Sequence, residues 1–432
     1  MNLANKVLIA LILGIFVGLG LNISGLSNTA IEAQGIIGVI KSLIDQWVLN
    51  GLFDVIGSVF INALKMLVVP LVLFSMIPGI IGIGDIKLLG RIGGKAFCLY
   101  MITTAIAIAT SIVLAISFGI GDGLDISTET TFVAKEKTSF TDILINIVPS
   151  NPVEALANGD ILSIIFFSIF FGVALLALAK ESQELIKIIE QINATILRMV
   201  SMVMVLAPYA VFCLVGKAVA ELGLDLLSQL LGYFCVLVFA LLFHAFVTQM
   251  LILKTLSGLS PRIFLKKIRT AQLFAFSTSS SGATIPVTLR TVQERLGVDR
   301  AVSSFSVPFG ATINMDGTAM MQGAATVFVA NLYGIDLGLS GYLMVIATAV
   351  LASIGTAAVP AVGIVMLTIV FDQVGLPIEA LGIIFGVDRL LDMIRTAVNV
   401  TGDGVVTAVV AKSEDRIDIN IYNDPEAGLV FD

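Results

Sequence analysis

Polar side chains recur every three or four residues between Asp388 and Asp403, in a segment that lies among long apolar stretches. On an α-helix, at about 100° per residue, they share an arc of roughly 100°, while leucine, isoleucine and valine fill the other sectors. In a bilayer such a face must look at protein or a wet cavity, because charged groups are costly in lipid. The carboxylates of the segment outnumber its arginines, which favours a site for cations and a ligand; a structural ion pair is the alternative. The face comprises Asp388, Asp392, Arg395, Thr396, Asn399 and Asp403.

Arg395 indicates the chemical class of the ligand. A buried guanidinium needs a carboxylate, and Asp392 lies one turn away, but the same fork of donors can hold an incoming carboxylate with two hydrogen bonds. Asp392 would then accept an ammonium group from the ligand. Together the two side chains predict an amino acid that carries an acidic side chain.

The serine run Ser279, Ser280 and Ser281 is a candidate anion site. Hydroxyl groups and the backbone N–H groups at the start of a helix carry partial positive charge, and a carboxylate is their natural occupant. Taken alone, a serine triplet is equally typical of a flexible turn.

Asn314 and Asp316 offer hard oxygen ligands within an apolar stretch. Unwinding at Gly310 and Gly317 would add backbone carbonyls, and an all-oxygen site suits an alkali cation better than a transition metal. Alternatively, Asp316 is protonated and carries a proton, since burial decides the pKa of such a group.

The composition predicts a polytopic membrane protein. Hydrophobic residues make up 57% of the 432 residues and charged residues only 13%, and the mean hydropathy is +1.04. A soluble protein of this size does not need so few charged residues. The net charge of −7 argues against a nucleic-acid partner. The single histidine, His244, is interpreted as a packed helix residue rather than a ligand, which leaves little material for histidine catalysis.

Six long apolar stretches predict membrane spans, and basic clusters after alternate spans place both termini in the cytoplasm. Residues 121–141 are expected to form an external loop, and Pro208 to kink the fifth span. The spans are residues 7–21, 53–80, 96–120, 161–179, 196–219 and 226–253.

Two further segments, 264–290 and 339–371, are interrupted by small residues and proline. We interpret them as re-entrant helical hairpins; loops between ordinary short helices are the alternative. A helix broken near Asn314 lies between them, and paired interruptions of this kind point to a transporter site between internal repeats. The tip of the second hairpin could act as a gate, although small residues there also suit close helix packing.

Four motifs in order identify a family resemblance: TSSSGATIP from Thr278, GATINMDGT from Gly310, SIGTAAVP from Ser353 and DRLLDMIRTAVNVTGD from Asp388. The chain resembles the dicarboxylate/amino acid:cation symporters, the glutamate transporter family, over nearly its whole length. The resemblance implies an all-α protein of the cell membrane, with eight transmembrane helices, two re-entrant hairpins, inverted repeats, a homotrimer and an elevator mechanism. It implies these units: scaffold 1–95, transport-domain helix 96–121, external loop and scaffold 122–225, transport domain 226–412 and cytoplasmic tail 413–432.

The resemblance also assigns site residues. Asp392 matches the ligand of the substrate amino group, and Arg395 that of the side-chain carboxylate. Further substrate positions are Ser279, Ser280, Ser281, Thr318, Val359, Gly363, Thr396 and Asn399. Three sodium sites are implied, and they consist of Gly310, Asn314, Asn399 and Asp403; of Thr312, Ser353, Ile354 and Thr356; and of Tyr100, Thr103, Thr104, Asn314 and Asp316. The presence of all these side chains favours sodium over protons.

One departure bears on the substrate. Family members often carry another arginine at places that hold Ser279 and Met393 here, and Arg389 either substitutes as a partner of Asp392 or pairs with Asp388. The expectation is sodium-coupled uptake of aspartate or glutamate, without enzymatic turnover. The alternatives are a proton-coupled dicarboxylate carrier, a cystine carrier, an intramembrane enzyme that uses the serine run and, more weakly, a channel.

Overall fold

The computed structural model describes residues 3–24, 26, 36–81, 86–122, 148–354 and 362–428. Over these residues the chain is helical, and one isolated bridge between Val298 and Ile417 is its only extended pairing there. The all-α prediction is therefore confirmed for the described residues. Most of the predicted external loop, and the tip of the second interrupted segment, lie outside them.

The first half of the described chain consists of long apolar helices. A π-helical turn, Ile44–Phe53, leads into α3. The helices are α1 Leu3–Ile23, α2 Ile36–Leu43, α3 Asp54–Ile81, α4 Ile86–Ser117, α5 Pro152–Asn158, α6 Ile161–Leu178, α7 Gln183–Met204 and α8 Ala207–Phe243.

Shorter helices with interruptions follow in the second half. A π-helical turn, His244–Thr248, joins α8 to the next helix. The helices are α9 Gln249–Ser257, α10 Pro261–Thr278, α11 Ser281–Arg290, α12 Arg300–Ile313, α13 Asp316–Leu332, α14 Gly338–Ile354, α15 Val362–Val374, α16 Leu381–Ser413 and α17 Ile419–Asn423.

The interruption predicted at Pro208 in the fifth span, 196–219, is observed. Helix α7 ends at Met204 and α8 begins at Ala207. Pro208 has no backbone N–H to donate to the carbonyl of Met204, so a regular helix cannot continue through this point. The predicted boundary between the fifth span, 196–219, and the sixth, 226–253, is observed within α8. Gly223 leaves the helical conformation there with a φ of 66°.

Three helical stretches of the described residues are long and apolar enough to cross a membrane: Val39–Ala63, Arg91–Ser117 and Gly223–Ser257. Shorter apolar stretches lie in α1, α3, α6, α14 and α15. These helices surround the two elements that carry the polar motifs, α13 and α16, and nearly every residue of α13 is buried. The polar residues of α16 therefore face the interior of the protein.

The helix breaks predicted at the serine run and near Asn314 are confirmed. Helices α10 and α11 pack against each other and are separated at Ser279 and Ser280, and α12 ends one residue before Asn314. Helices α14 and α15 also pack against each other, on either side of residues 355–361, which are not described. Their depth in a membrane stays a prediction.

The end of α16 is tied to the start of α4 by charged side chains. Arg91 and Lys95 both donate to the Glu414 carboxylate, at 2.8 Å from Arg91 Nε and 2.5 Å from Lys95 Nζ. These hydrogen bonds, first from Arg91 and then from Lys95, hold the pKa of Glu414 below its usual range. The contact therefore persists at neutral pH and is lost as the pH falls through that lowered pKa.

The tail after α16 packs against the base of α10. Lys267 is 1% exposed, and its Nζ donates to the carbonyls of Arg295 at 2.6 Å and Ile421 at 2.7 Å. Tyr422 is buried as well, and its hydroxyl donates to the carbonyl of Ser260 at 2.9 Å. The tail is thus an integral part of the fold.

We expect Lys267→Met to release α17, because hydrogen bonds from a charged donor contribute about 1.5–3 kcal/mol. The measurement is hydrogen exchange at the amides of 418–423, which should become roughly tenfold faster or more. Lys266→Met is the matched control, since Lys266 is exposed in the same helix. Equal exchange rates in the two variants would contradict the role given to Lys267.

Candidate functional site

Arg395 lies fully buried between two carboxylates of its own helix. Its Nη2 donates to Asp392 Oδ1 at 2.9 Å, and its Nη1 lies 2.7 Å from Asp388 Oδ1, close enough for an ion pair but without hydrogen-bond geometry. Arg389 Nη1 donates to the other oxygen of Asp392 at 3.3 Å. The predicted partnership of Arg389 with Asp392 is therefore observed, and the alternative pairing of Asp388 with Arg389 is wrong. Adjacent helical residues do not face each other, whereas Asp388 and Arg395 are two turns apart on one face.

The Arg395 guanidinium retains hydrogen-bonding capacity. Its Nε and Nη1 have no hydrogen-bond partner among the described residues, and neither does the buried Tyr233 hydroxyl. The ion pair of Asp392 with Arg395, which the sequence offered as a structural alternative to a ligand site, is thus present. It does not satisfy all the N–H donors of Arg395. Buried donors of this kind are normally paired, so they mark a place for a further acceptor such as a carboxylate.

The three serines form the sharp junction between α10 and α11. Ser279 adopts a left-handed conformation with a φ of 49°, and the Ser280 hydroxyl caps α11 by accepting from the Ala283 amide at 3.1 Å. All three are buried, and Ser279 Oγ has no hydrogen-bond partner among the described residues. Helix α11 packs against α16, and the positive end of the α11 dipole lies at its N-terminus, next to the serine junction.

A second polar group lies further along α16, around Asp403. Asn314 Nδ2 donates to Asp403 Oδ1 at 2.9 Å and to the Asn399 carbonyl at 3.2 Å. The Oδ1 of Asn314 is buried and has no hydrogen-bond partner among the described residues. A Cβ on Gly310 would lie 2.5 Å from both Asp403 Oδ1 and the Tyr100 hydroxyl, so the backbone of α12 approaches this group closely. Within the described ranges, oxygen atoms thus converge here without a basic side chain.

Asp316 forms the third group and is fully buried. Its Oδ1 accepts from Thr104 Oγ1 at 2.7 Å, with Thr103 Oγ1 at 3.4 Å. Its Oδ2 lies 3.0 Å from His244 Nε2 and 3.3 Å from Gln249 Nε2. The sequence interpretation missed both His244 and Gln249, although two polar side chains in an otherwise apolar span were a signal.

Asn399 joins these groups to the broken helix. Its Oδ1 accepts from the Gly317 amide at 2.7 Å, and its Nδ2 lies 3.3 Å from the Met315 sulfur. Helices α4, α12, α13 and α16 thus bring many of the predicted site residues together. These are Asp392, Arg395, Asn399, Asp403, Asn314, Asp316, Tyr100, Thr103, Thr104 and Gly310.

Other predicted residues are placed less directly. Thr396, Thr312 and Ser353 donate their hydroxyls to carbonyls of their own helices. A Cβ on Gly363 would lie 2.8 Å from Thr318 Cγ2 and 3.8 Å from Arg395 Nη2, so the start of α15 lies beside the guanidinium. Thr356 and Val359, and the side chain of Ile354, lie outside the described residues.

Gly317 is required where α13 begins against α16. An added Cβ would lie 2.7 Å from the Arg395 carbonyl oxygen and 2.8 Å from its Cα, and backbone atoms cannot step aside. We expect Gly317→Ala to destabilise the protein by about 1–3 kcal/mol and to lower the thermal unfolding midpoint. Gly232→Ala in α8 is the control, because nothing lies within 4 Å of its Cβ position. Equal unfolding midpoints would show that the close approach is not needed.

Long apolar helices that enclose buried acids, amides and hydroxyls at helix interruptions define a multi-pass membrane transporter. More narrowly, the chain belongs to the sodium:dicarboxylate symporter family, whose family model matches residues 3–413. The predicted family resemblance is thereby confirmed.

Three relatives show the range of the family. The chain is 35% identical to a proton/glutamate-aspartate symporter of Escherichia coli over 96% of this chain and 94% of the relative. It is 34% identical to a proton/sodium-glutamate symport protein of Geobacillus stearothermophilus, covering 84% and 87% of the two chains. It is 32% identical to a C4-dicarboxylate transport protein of Bacillus subtilis, covering 84% and 88%.

Proposed function

We propose that this protein is a symporter that uses a sodium gradient to take up an acidic amino acid, aspartate or glutamate. One observation carries the proposal: buried Arg395 and Asp392 lie about one to three helical turns before Asn399 and Asp403 on one face of α16. A ligand and cations bound along this face would share Asn399. The names of two relatives, which refer to glutamate and aspartate, support the proposed substrate.

The Asp392–Arg395 ion pair gives the proposed chemistry of substrate binding. An acidic amino acid carries both charges of that pair, so its side-chain carboxylate can replace Asp392 on the guanidinium while its ammonium replaces the guanidinium on Asp392. Its main-chain carboxylate would bind at the serine junction, where the Ser279 hydroxyl has no hydrogen-bond partner among the described residues. The remaining proposed contacts are Ser280, Ser281, Thr318, Val359, Gly363, Thr396 and Asn399.

The proposed cations are sodium ions, more than one per subunit. Asp403 and Asp316 are buried among amides and hydroxyls, and His244 is their only basic partner among the residues that the structure describes. This setting favours a hard monovalent cation. Asn314 Oδ1, which has no hydrogen-bond partner in the described part of the chain, would be a further ligand oxygen. The proposed sites are those implied by the sequence: Gly310, Asn314, Asn399 and Asp403; Tyr100, Thr103, Thr104, Asn314 and Asp316; and Thr312, Ser353, Ile354 and Thr356.

The proposed architecture is a homotrimer in the cell membrane, with both termini cytoplasmic and eight transmembrane helices per subunit. Helices α10 with α11 and α14 with α15 would be re-entrant hairpins in inverted repeats. Helix packing supports a transport domain that moves as an elevator against a scaffold. In the proposed transport domain α4 packs along α13 and α10 packs along α16, and in the proposed scaffold α3 packs along α6 and α7. The proposed units are 1–95, 96–121, 122–225, 226–412 and 413–432.

A proton-coupled dicarboxylate carrier is the second candidate. It is favoured by the relative named for C4-dicarboxylates and by the relatives named for protons. Such a substrate has no ammonium group for Asp392. The two candidates therefore differ in what they require of that aspartate.

Uptake into proteoliposomes tests the proposal. Labelled aspartate, glutamate, cystine and succinate are supplied with a sodium gradient or a proton gradient imposed separately. We expect aspartate or glutamate to accumulate under the sodium gradient alone. Accumulation of succinate under the proton gradient alone, without competition from aspartate, would overturn the proposal in favour of the second candidate.

A further inference from the structure

His244 lies in the interior of the protein with no exposed surface. Its Nε2 is 3.0 Å from Asp316 Oδ2, and its Nδ1 has no hydrogen-bond partner among the described residues. The described hydrogen bonding of the ring is therefore directed at this one carboxylate. A packed helix residue, as the sequence interpretation had it, would not require that contact.

A local departure from α-helical geometry places the ring there. At about 100° per residue, side chains five apart on an α-helix point about 140° away from each other. His244 and Gln249 are five apart, yet both contact Asp316 Oδ2. The π-helical turn between them, in which the Gln249 amide bonds to the His244 carbonyl, accounts for the shared direction.

The contacts of Asp316 divide between its two oxygens. The threonine hydroxyls of α4 lie on Oδ1, whereas the imidazole and the amide of Gln249 lie on Oδ2. A neutral imidazole that donates its Nε2 proton orients the carboxylate while leaving its negative charge in place. Lysine or arginine at this position would cancel that charge.

We propose that His244 is a positioning residue for cation binding: its Nε2–H holds Asp316 Oδ2 so that Oδ1 faces Thr103 and Thr104. This inference rests on the proposed function, since it assumes that Asp316 binds sodium. Histidine does not contact the ion in this arrangement. It acts through the carboxylate, as ligand-orienting hydrogen bonds do around bound metal ions.

The test compares His244→Gln with His244→Asn in the full-length protein. Glutamine carries its amide nitrogen as many bonds from Cα as histidine carries Nε2, whereas asparagine is one bond shorter. The measurement is thermal stabilisation by sodium chloride, with choline chloride as the reference salt, which gives the sodium concentration at half effect. We expect Asn to raise that concentration about tenfold and Gln to leave it within about threefold of the wild type.

Leu226→Ala is the control for stability alone, because Leu226 is buried in α8 about five helical turns before His244. It should lower the unfolding midpoint without changing the sodium concentration at half effect. Two results would overturn the role of Nε2 and leave the proposed function standing. One is the same sodium concentration at half effect in the Gln variant, the Asn variant and the wild type, and the other is an equal rise of that concentration in both variants. A wild type that sodium does not stabilise overturns both.

Discussion

Arg395→Cys is expected to reduce the affinity for aspartate and glutamate by about 100-fold or more. Each hydrogen bond from a charged donor contributes about 1.5–3 kcal/mol, and the proposed contact has two. The affinity for a neutral amino acid such as serine should rise relative to that for aspartate, because the smaller side chain leaves space and removes a positive charge. Calorimetric titration of the purified protein with each amino acid measures both effects.

This substitution leaves Asp388 and Asp392 without the guanidinium that lies between them. Size-exclusion chromatography and sodium-dependent thermal stabilisation therefore accompany the titration. Arg395→Lys is the companion variant: it keeps the charge but cannot form the planar fork, so it should recover only part of the affinity. Unchanged aspartate affinity in a folded Arg395→Cys protein would show that the carboxylate binds elsewhere.

Asp392→Asn is expected to weaken aspartate binding by about 100-fold, because the ammonium group loses its charged acceptor and faces Arg389 and Arg395 instead. The same change should spare or improve succinate binding, since succinate has no ammonium group. The measurement is competition of aspartate and succinate for uptake of the labelled substrate. Asp225→Asn, at an exposed position in α8, is the matched control.

The Asp392 variant separates the two candidate functions. If aspartate and succinate lost affinity equally, Asp392 would serve only to orient Arg395, and the amino-group assignment would be wrong. If neither changed, the ion pair in this structure would be purely structural.

The parts of the site that depend on residues close together in sequence could be predicted from the sequence. The polar face of α16 follows from residue spacing, and the breaks near Ser279 and Asn314 follow from residue types that do not continue an apolar helix. The pairing of Asp388 with Arg395 was also within reach, because seven residues are two helical turns. Arg389 is the neighbour of Asp388 in sequence, but adjacent residues of a helix point in different directions.

The remainder depends on tertiary structure. His244 and Gln249 meet Asp316 because a π-helical turn aligns them, and apolar composition does not reveal such a turn. Similarly, the packing of Tyr422 and Lys267 depends on contacts across about 150 residues, as between Lys267 and Ile421. The position of the break before Pro208 was predicted, but its extent was not, because a single proline can either kink a helix or end it.

The central claim is that substrate and sodium occupy one coupled site along α16. Its most direct test is the dissociation constant of aspartate as a function of sodium concentration, measured by calorimetry with ionic strength held constant by choline chloride. Since binding is reciprocal and more than one cation is proposed, the constant should fall by more than about tenfold for a tenfold rise in sodium. An aspartate dissociation constant that is independent of sodium would contradict the claim.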